Sequence, residues 1–153
     1  KGVEDGINWL MKLQNSDGGM PTFCKGWGKL PFDCSCPDIT AHAMKALALW
    51  SKEMDPEVRA KIHNCFRKAW RYIKSTQQED GSWLPLWFGN EDDAKHHNPV
   101  YGTSIVLYSL TCIESVCIFG LGEVKIKAVD FLLSTQNEDG GWGGNASLIS
   151  TIE

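Results

Sequence analysis

Apolar residues recur at helical spacing in three segments of the chain, with polar residues filling the positions between them. In residues 58–73 the apolar positions fall three or four residues apart, and arginine and lysine lie between them. The same spacing runs through residues 3–10 and 124–132. A stripe of this kind predicts an amphipathic helix that buries one face and exposes the other.

Two further segments have a different pattern. Residues 38–50 and 100–119 are apolar nearly all round, which predicts helices buried on every side. Half-exposed and buried helices therefore alternate along the chain as outer, inner, outer, inner and outer. No segment has the alternation of a long strand. The pattern predicts an all-α fold, an α/α barrel or toroid of which about two and a half helical pairs are present.

A repeat ends each of the three amphipathic segments. Each copy has an aromatic residue, a helix and then the pattern Gln-x-x-Asp-Gly-x-Trp, with Met20 in place of the first Trp. Gly after Asp predicts a helix end, because glycine accepts the left-handed backbone. The Gln amide can bond carbonyls at its helix end and N–H groups at the next helix start, and the Trp ring can stack on that amide. We predict rigid structural corners without chemistry, built on Gln14, Gln77, Trp83, Gln136 and Trp142.

Length, net charge and cysteine positions limit the classes of partner and cellular location open to the chain. The 153 residues suffice for one compact domain, and the formal net charge is −4. Without a basic excess we expect no nucleic-acid partner. No apolar run reaches the length of a transmembrane helix. The six cysteines are scattered, and Cys65, Cys112 and Cys117 fall in predicted helices, so we expect free thiols and a reducing, cytoplasmic setting.

The repeats resemble the QW motif of squalene–hopene and oxidosqualene cyclases. Residues 33–42, Asp-Cys-Ser-Cys-Pro-Asp-Ile-Thr-Ala-His, are similar to the segment Asp-x-x-x-x-Asp-Val-Thr-Ala-His of bacterial squalene–hopene cyclases. Residues 81–83, Trp87 and residues 101–103 resemble the active-site stretch that follows. The likeness covers essentially the whole chain, in the family's order.

The resemblance implies a metal-free enzyme of triterpenoid and isoprenoid biosynthesis, an isomerase that cyclises squalene or a similar isoprenoid. In that family an aspartic acid of an Asp-x-Asp-Asp motif protonates a terminal double bond. The cation then passes through a dry cavity lined by aromatic rings, whose faces stabilise it. The resemblance further implies no cofactor, and peripheral contact of the parent protein with one membrane leaflet.

Four residues take roles from this resemblance. His42 matches the histidine that activates the catalytic acid, Asp38 belongs to the polar network around that acid, and Tyr101 orders water beside it. Trp87 matches an aromatic residue that lines the substrate cavity. Each has a structural alternative: a core histidine for His42, a helix N-cap for Asp38, and apolar packing for Tyr101 and Trp87.

The chain departs from the family in three places. It has no Asp-x-Asp-Asp, since residues 91–93 do not match and lie in a polar loop. The loop 20–31, which contains Trp27, differs from the family's Gly-Trp-Gly stretch, and the loop before Tyr101 is longer and contains His96 and His97. We therefore expect a divergent cyclase branch and no activity from this chain alone.

The sequence begins without an initiator Met, and it ends where the pattern predicts the start of a new helix. We expect residues 1–153 to be one partial domain, truncated at both ends. Its inner helices would then expose an apolar face and promote self-association.

Two other classes remain open. The parent could be a non-catalytic barrel that binds or scaffolds a partner, because fold does not determine function. It could also be a zinc-dependent subunit like those of protein prenyltransferases, with zinc held by the set Asp33, Cys34, Cys36 and His42. The Cys-x-Cys lacks the second pair that structural zinc sites use, so we expect no metal.

Overall fold

Five helices make up most of the chain that the structure, a computed structural model, describes, namely residues 2–26, 31–91, 93–114 and 120–143. They are α1 (Gly2–Leu13), α2 (Pro37–Trp50), α3 (Pro56–Thr76), α4 (Pro99–Ile113) and α5 (Gly122–Ser134). Two short antiparallel strands, β1 (Met20–Pro21) and β2 (Ser35–Cys36), pair Met20 with Cys36. Short 3-10 turns lie at Pro31–Asp33 and Ser51–Glu53. The prediction of an all-α fold is confirmed.

Some predicted features fall outside the described residues. These are residues 115–119, which include Cys117 and would complete the second inner helix, and the helix start expected near residue 150. Trp27 and Asp92 also lie outside them.

The helix starts follow from local chemistry. Asp55 caps α3, because its Oδ1 accepts the N–H groups of Glu57 (3.0 Å) and Val58 (2.9 Å). Asn98 caps α4 in the same way, accepting from Tyr101 N at 3.3 Å. In α2, α3 and α4 a proline follows the cap, where its fixed φ suits the helix and its missing N–H costs nothing.

The helices form two layers. The inner helices α2 and α4 pack on each other, α3 packs on α2, α5 packs on α4, and α1 contacts both α2 and α3. One buried cluster joins α2, α3, α4 and α5 around Trp83 and Ile73, and a second joins α1, α2 and α3 around Leu47 and Ile62. The predicted alternation of inner and outer helices is confirmed.

The prediction that the inner helices are buried on every side is wrong. Leu49 of α2 is 55% exposed and Tyr108 of α4 is 59% exposed. Both helices are covered by each other and by the outer layer, and no element in the described part of the chain packs on their remaining face. This uncovered face, which also carries His42, matches the exposed apolar face that the sequence predicts.

The repeats build the joints between outer helices. The Nε2 of Gln14 donates to Gly18 O (2.9 Å) in its own loop and to Cys65 O (2.8 Å) in α3. The Nε2 of Gln77 donates to Gly81 O (3.0 Å) and to Val124 O (3.0 Å) in α5. These partners differ from our prediction, because the amide donates to carbonyls of the loop and of the next outer helix. Gln136 likewise donates to Gly140 O at 2.7 Å.

The tryptophans close the same joints by hydrogen bonding. Trp83 Nε1 donates to Ile73 O (2.9 Å) and Trp142 Nε1 donates to Leu132 O (2.8 Å). Each acceptor lies in the last turn of a helix, where carbonyls lack a partner within the helix. The indole N–H therefore donates to a carbonyl that would otherwise lack a partner at the end of the helix.

The joints also hold the inner helices. The backbone N–H of Met20 donates to Thr40 Oγ1 (2.8 Å) at the start of α2, and that of Trp83 donates to Thr103 Oγ1 (3.0 Å) at the start of α4. All four residues are buried. One repeat thus links an outer helix, the following outer helix and the inner helix between them.

Two glycines of the repeats show how closely the loop after α3 packs against α5. Gly81 and Gly140 have φ of 92° and 87°, but a Cβ on Gly81 would lie 2.3 Å from the Lys127 carbonyl oxygen of α5, whereas one on Gly140 would meet no atom within 4 Å. We predict that Gly140→Ala lowers the free energy of unfolding by about 1 kcal/mol, the cost of a left-handed alanine. Gly81→Ala should lower it by about 3 kcal/mol or more, because α5 must also move. Urea denaturation of both variants tests this, and equal losses would contradict it.

Candidate active site

A cleft of about 280 Å³ opens beside the N-terminal end of α2. It is lined by Thr22, Phe23, Cys36, Asp38, Ile39, Trp87 and Phe88. Two loops form its walls: the segment between β1 and β2, which continues the strand pairing through Thr22 N to Cys34 O (3.0 Å), and the segment that follows Trp83. The repeat that supplies Trp83 thereby positions Trp87 and Phe88 over the start of α2.

Aromatic rings dominate the walls. Phe23 meets Trp87 edge to face, with ring centroids 4.8 Å apart, and Phe32 lies 5.7 Å from Trp87 and 5.4 Å from Phe23. Phe88 packs on Tyr101 at 5.2 Å. About half of each of the rings of Phe23, Trp87 and Phe88 is exposed. Such rings offer an apolar surface whose faces attract cations.

Asp38 lies in this cleft and is 1% exposed. Its Oδ1 accepts the S–H of Cys36 at 2.6 Å, while its buried Oδ2 has no hydrogen-bond partner among the described residues. A buried carboxylate oxygen without a donor is costly, so natural proteins keep one where it has a use.

The predicted N-cap role of Asp38 is wrong. The N-cap of α2 is Cys36, Pro37 is the first helical residue, and Asp38 is the second. Because the N-cap lies two residues before Asp38, the Asp38 side chain faces the cleft network instead of the helix end. Its negative charge still lies in the first turn, where the helix dipole stabilises anions.

Cys36 occupies the centre of the network. Its sulfur donates to Asp38 and accepts the backbone N–H of Leu86 at 3.0 Å. Burial, followed by the hydrogen bond to Asp38, raises the pKa of the Cys36 thiol to about 12. The thiol is therefore protonated at neutral pH and acts as a hydrogen-bond donor.

Tyr101 lies in the first turn of α4, half-buried under Phe88. Burial raises the pKa of its phenol above the ordinary value, and electrostatic interactions with Asp38 and Cys36 raise it further. Tyr101 and Asp38 thus lie at the same end of the inner helix pair. The phenol stays neutral and can donate a hydrogen bond.

His42 lies one turn after Asp38 but points elsewhere. It is exposed, on the uncovered face of α2, and its imidazole has no hydrogen bond among the described residues. Among the described residues His42 is therefore not part of a core. Trp87 lines the cleft, whereas His42 does not.

No three His, Cys, Asp or Glu side chains in the described part of the chain converge on a point where a metal could bind. The set considered for zinc is dispersed, because Cys34 and His42 are exposed while Cys36 is buried against Asp38. His96 and His97 lie in an exposed turn organised by Asp93, whose Oδ2 accepts His97 N at 2.9 Å.

Three residues that line the cleft were not among the predicted site residues, namely Cys36 in a hydrogen-bonding role, Phe23 and Phe88, and neither was Phe32, which packs on Phe23 and Trp87. Only one signal in the sequence pointed to them, namely aromatic residues in loops where polar residues are usual. Their convergence depends on the two loops meeting at α2, which local patterns do not reveal.

Comparison with known proteins agrees with this architecture. Residues 1–150 match the family model described as squalene-hopene cyclase C-terminal domain. A lanosterol synthase of Pneumocystis carinii is 28% identical over 161 residues, which cover 92% of this chain and 20% of that protein. Human lanosterol synthase is 26% identical, covering 91% and 20%, and a squalene–hopene cyclase of Bradyrhizobium diazoefficiens is 28% identical, covering 94% and 21%.

The chain belongs to the squalene-hopene cyclase C-terminal domain family. It spans about a fifth of the length of these three relatives. The resemblance inferred from the QW repeats is thereby confirmed. Among the described residues, no helix has both the length and the apolar character that crossing a bilayer requires.

The buried thiol of Cys36 makes the free energy of unfolding depend on pH in the alkaline range. Because folding raises the pKa of Cys36 to about 12, the folded chain holds this proton more tightly than the unfolded chain. We predict a contribution that is fully present below about pH 9 and is lost as pH rises towards 12. Guanidinium denaturation at a series of pH values measures it. In Cys36→Ala the decline above pH 9 should be shallower, and an identical decline would contradict the assignment.

Proposed function

We propose that this chain supplies part of the cavity wall of a squalene–hopene-cyclase-like enzyme, which converts squalene or a similar isoprenoid into a cyclic triterpenoid. The observation that supports it most is Asp38, a buried carboxylate with an unpartnered oxygen, in a cleft walled by Phe23, Trp87 and Phe88. The three repeats and the family membership support the same assignment. The substrate is apolar throughout, and so is most of this surface.

Each part of the cleft has a task in an acid-initiated cyclisation. The aromatic faces stabilise positive charge that moves along the substrate, without the nucleophile that would quench it. The apolar walls exclude water, which strengthens each electrostatic interaction inside. No metal or cofactor is needed, because an added proton starts the reaction and a proton leaves at its end, either directly from the final cation or after that cation has taken up one water.

The acid itself is an Asp-x-Asp-Asp aspartate that these 153 residues do not contain. In this proposal Asp38, Tyr101 and His42 serve that acid from this side of the cavity. Tyr101, neutral because its pKa is raised, relays a proton or orders water. His42 donates to the acid from the uncovered face of α2, where its imidazole is exposed.

The same proposal extends to the rest of the barrel, to the location of the parent protein and to self-association of this chain. Residues 1–153 form one partial domain, and the uncovered face of α2 and α4 contacts the remainder of the barrel. The parent protein acts in the cytoplasm on a substrate that it collects from one membrane leaflet. By itself the chain self-associates through Leu49, Trp50 and Tyr108, the exposed apolar side chains of that face and its end.

The first test is an assay with squalene. We predict that the full-length protein that carries this segment yields a cyclic product with the mass of squalene, or that mass plus one water. The 153-residue chain alone should return squalene unchanged, because it lacks the acid. Gas chromatography with mass spectrometry of the lipid extract distinguishes these results. A correctly folded full-length protein without product would favour the non-catalytic barrel.

The second test concerns His42. We predict that His42→Ala in the full-length protein lowers kcat about 100-fold, the scale of a general acid–base contribution. The free energy of unfolding should fall by no more than about 1 kcal/mol, the net cost of losing one hydrogen bond, so the effect on turnover should exceed the effect on stability. The control is His63→Ala, an exposed histidine on the outer helix α3, which should alter neither. A kcat equal to that of the wild type would overturn the assigned role of His42.

A further inference from the structure

Cys36 connects three parts of the cleft that are distant in sequence. As the N-cap residue it ends β2 and starts α2, and it is 1% exposed. Its S–H points at Asp38 Oδ1 and its sulfur accepts from Leu86 N, fifty residues further along the chain. Its side chain makes both contacts without reaching solvent.

The hydrogen bond from Cys36 to Asp38 determines which carboxylate oxygen remains available. With Oδ1 engaged by the thiol, Oδ2 is the carboxylate oxygen that remains to accept a donor, and it is buried in the wall of the cleft. A thiol holds the carboxyl group in place without placing a positive charge beside it.

The second contact determines where the aromatic rings lie. Leu86 directly precedes Trp87 and Phe88, which line the cleft, and Phe88 packs on Tyr101. The hydrogen bond from Leu86 N to Cys36 attaches this loop to the start of α2. Movement of the loop would therefore shift the rings and the Tyr101 environment together.

We propose that Cys36 is a positioning residue of the site: its bond to Oδ1 holds the carboxyl group of Asp38 in the wall of the cleft with Oδ2 unpartnered, and its bond to Leu86 N anchors the Leu86–Phe88 loop to the start of α2. This inference rests on the proposed cyclase function, because it assigns Cys36 a task in that reaction. The raised pKa of Cys36, which keeps the thiol protonated, supports its role as a donor and makes it a poor nucleophile.

Three variants of the full-length protein test the proposal. Cys36→Ala removes both hydrogen bonds, and Cys36→Ser retains a donor and an acceptor on a shorter arm. Cys65→Ala is the matched control, a second buried cysteine with a pKa raised to about 11, which lies in α3 away from the cleft. If Cys36→Ala fails to fold, Cys36→Val, which fills the space without a donor, replaces it.

The kinetic result expected is a loss in kcat with little change in KM. Cys36→Ala should lower kcat about 100-fold, the scale of a misplaced catalytic group, while Cys36→Ser recovers part of that loss and Cys65→Ala loses less than about twofold. Asp38→Asn alone should also lower kcat. In that background Cys36→Ala should add little, because Cys36 acts through Asp38. Full additivity of the two losses would overturn the proposal.

Hydrogen–deuterium exchange provides a readout that does not depend on the reaction. The Leu86 amide should exchange about tenfold faster in Cys36→Ala than in the wild type and in Cys65→Ala, because its acceptor is gone. Unchanged exchange would overturn the anchoring of the loop. A wild type that exchanges as expected but forms no product would overturn the proposed function alone. An active wild type whose Cys36→Ala variant keeps its kcat would overturn the inference alone.

Discussion

A single side-chain amide holds each outer helix to the next, and the rest of the structure depends on it. Gln14 bonds a carbonyl of α3 and Gln77 bonds a carbonyl of α5, each while closing its own loop. Both acceptors belong to helices whose apolar faces form the core, so the polar joint and the apolar packing reinforce one another. The same loops hold Thr40 and Thr103 and thereby fix the first turns of the inner helices.

The site follows from those first turns. Because one repeat holds the start of α2 and the next holds the start of α4, Asp38 and Tyr101 come to the same end of the inner pair. The loop after Trp83 then has a fixed origin, and it carries Trp87 and Phe88 over α2. The hydrogen-bonded joints thus allow loops rich in aromatic residues to form a defined cleft.

The cleft keeps features that stability alone would remove. A buried carboxylate oxygen without a donor and several half-exposed aromatic rings each cost free energy in an isolated domain. Such departures from good packing concentrate where a protein binds or transforms a ligand. Here they coincide with the segments that resemble the active-site stretches of the family, which gives the proposed function a physical basis beyond similarity.

The sequence by itself determined the helices, their alternation and the family, because helical periodicity and the Gln-x-x-Asp-Gly-x-Trp pattern are local signals. It also indicated Asp38, Tyr101 and Trp87, through resemblance. Only the tertiary structure decided that Cys36 caps α2, that the Gln amides reach the next outer helix, and that His42 and Leu49 face outward. These outcomes depend on contacts between residues some fifty positions apart, as between Cys36 and Leu86. The inner helices show the physical reason most clearly: apolar residues on every side predict burial, but burial requires a neighbour on every side.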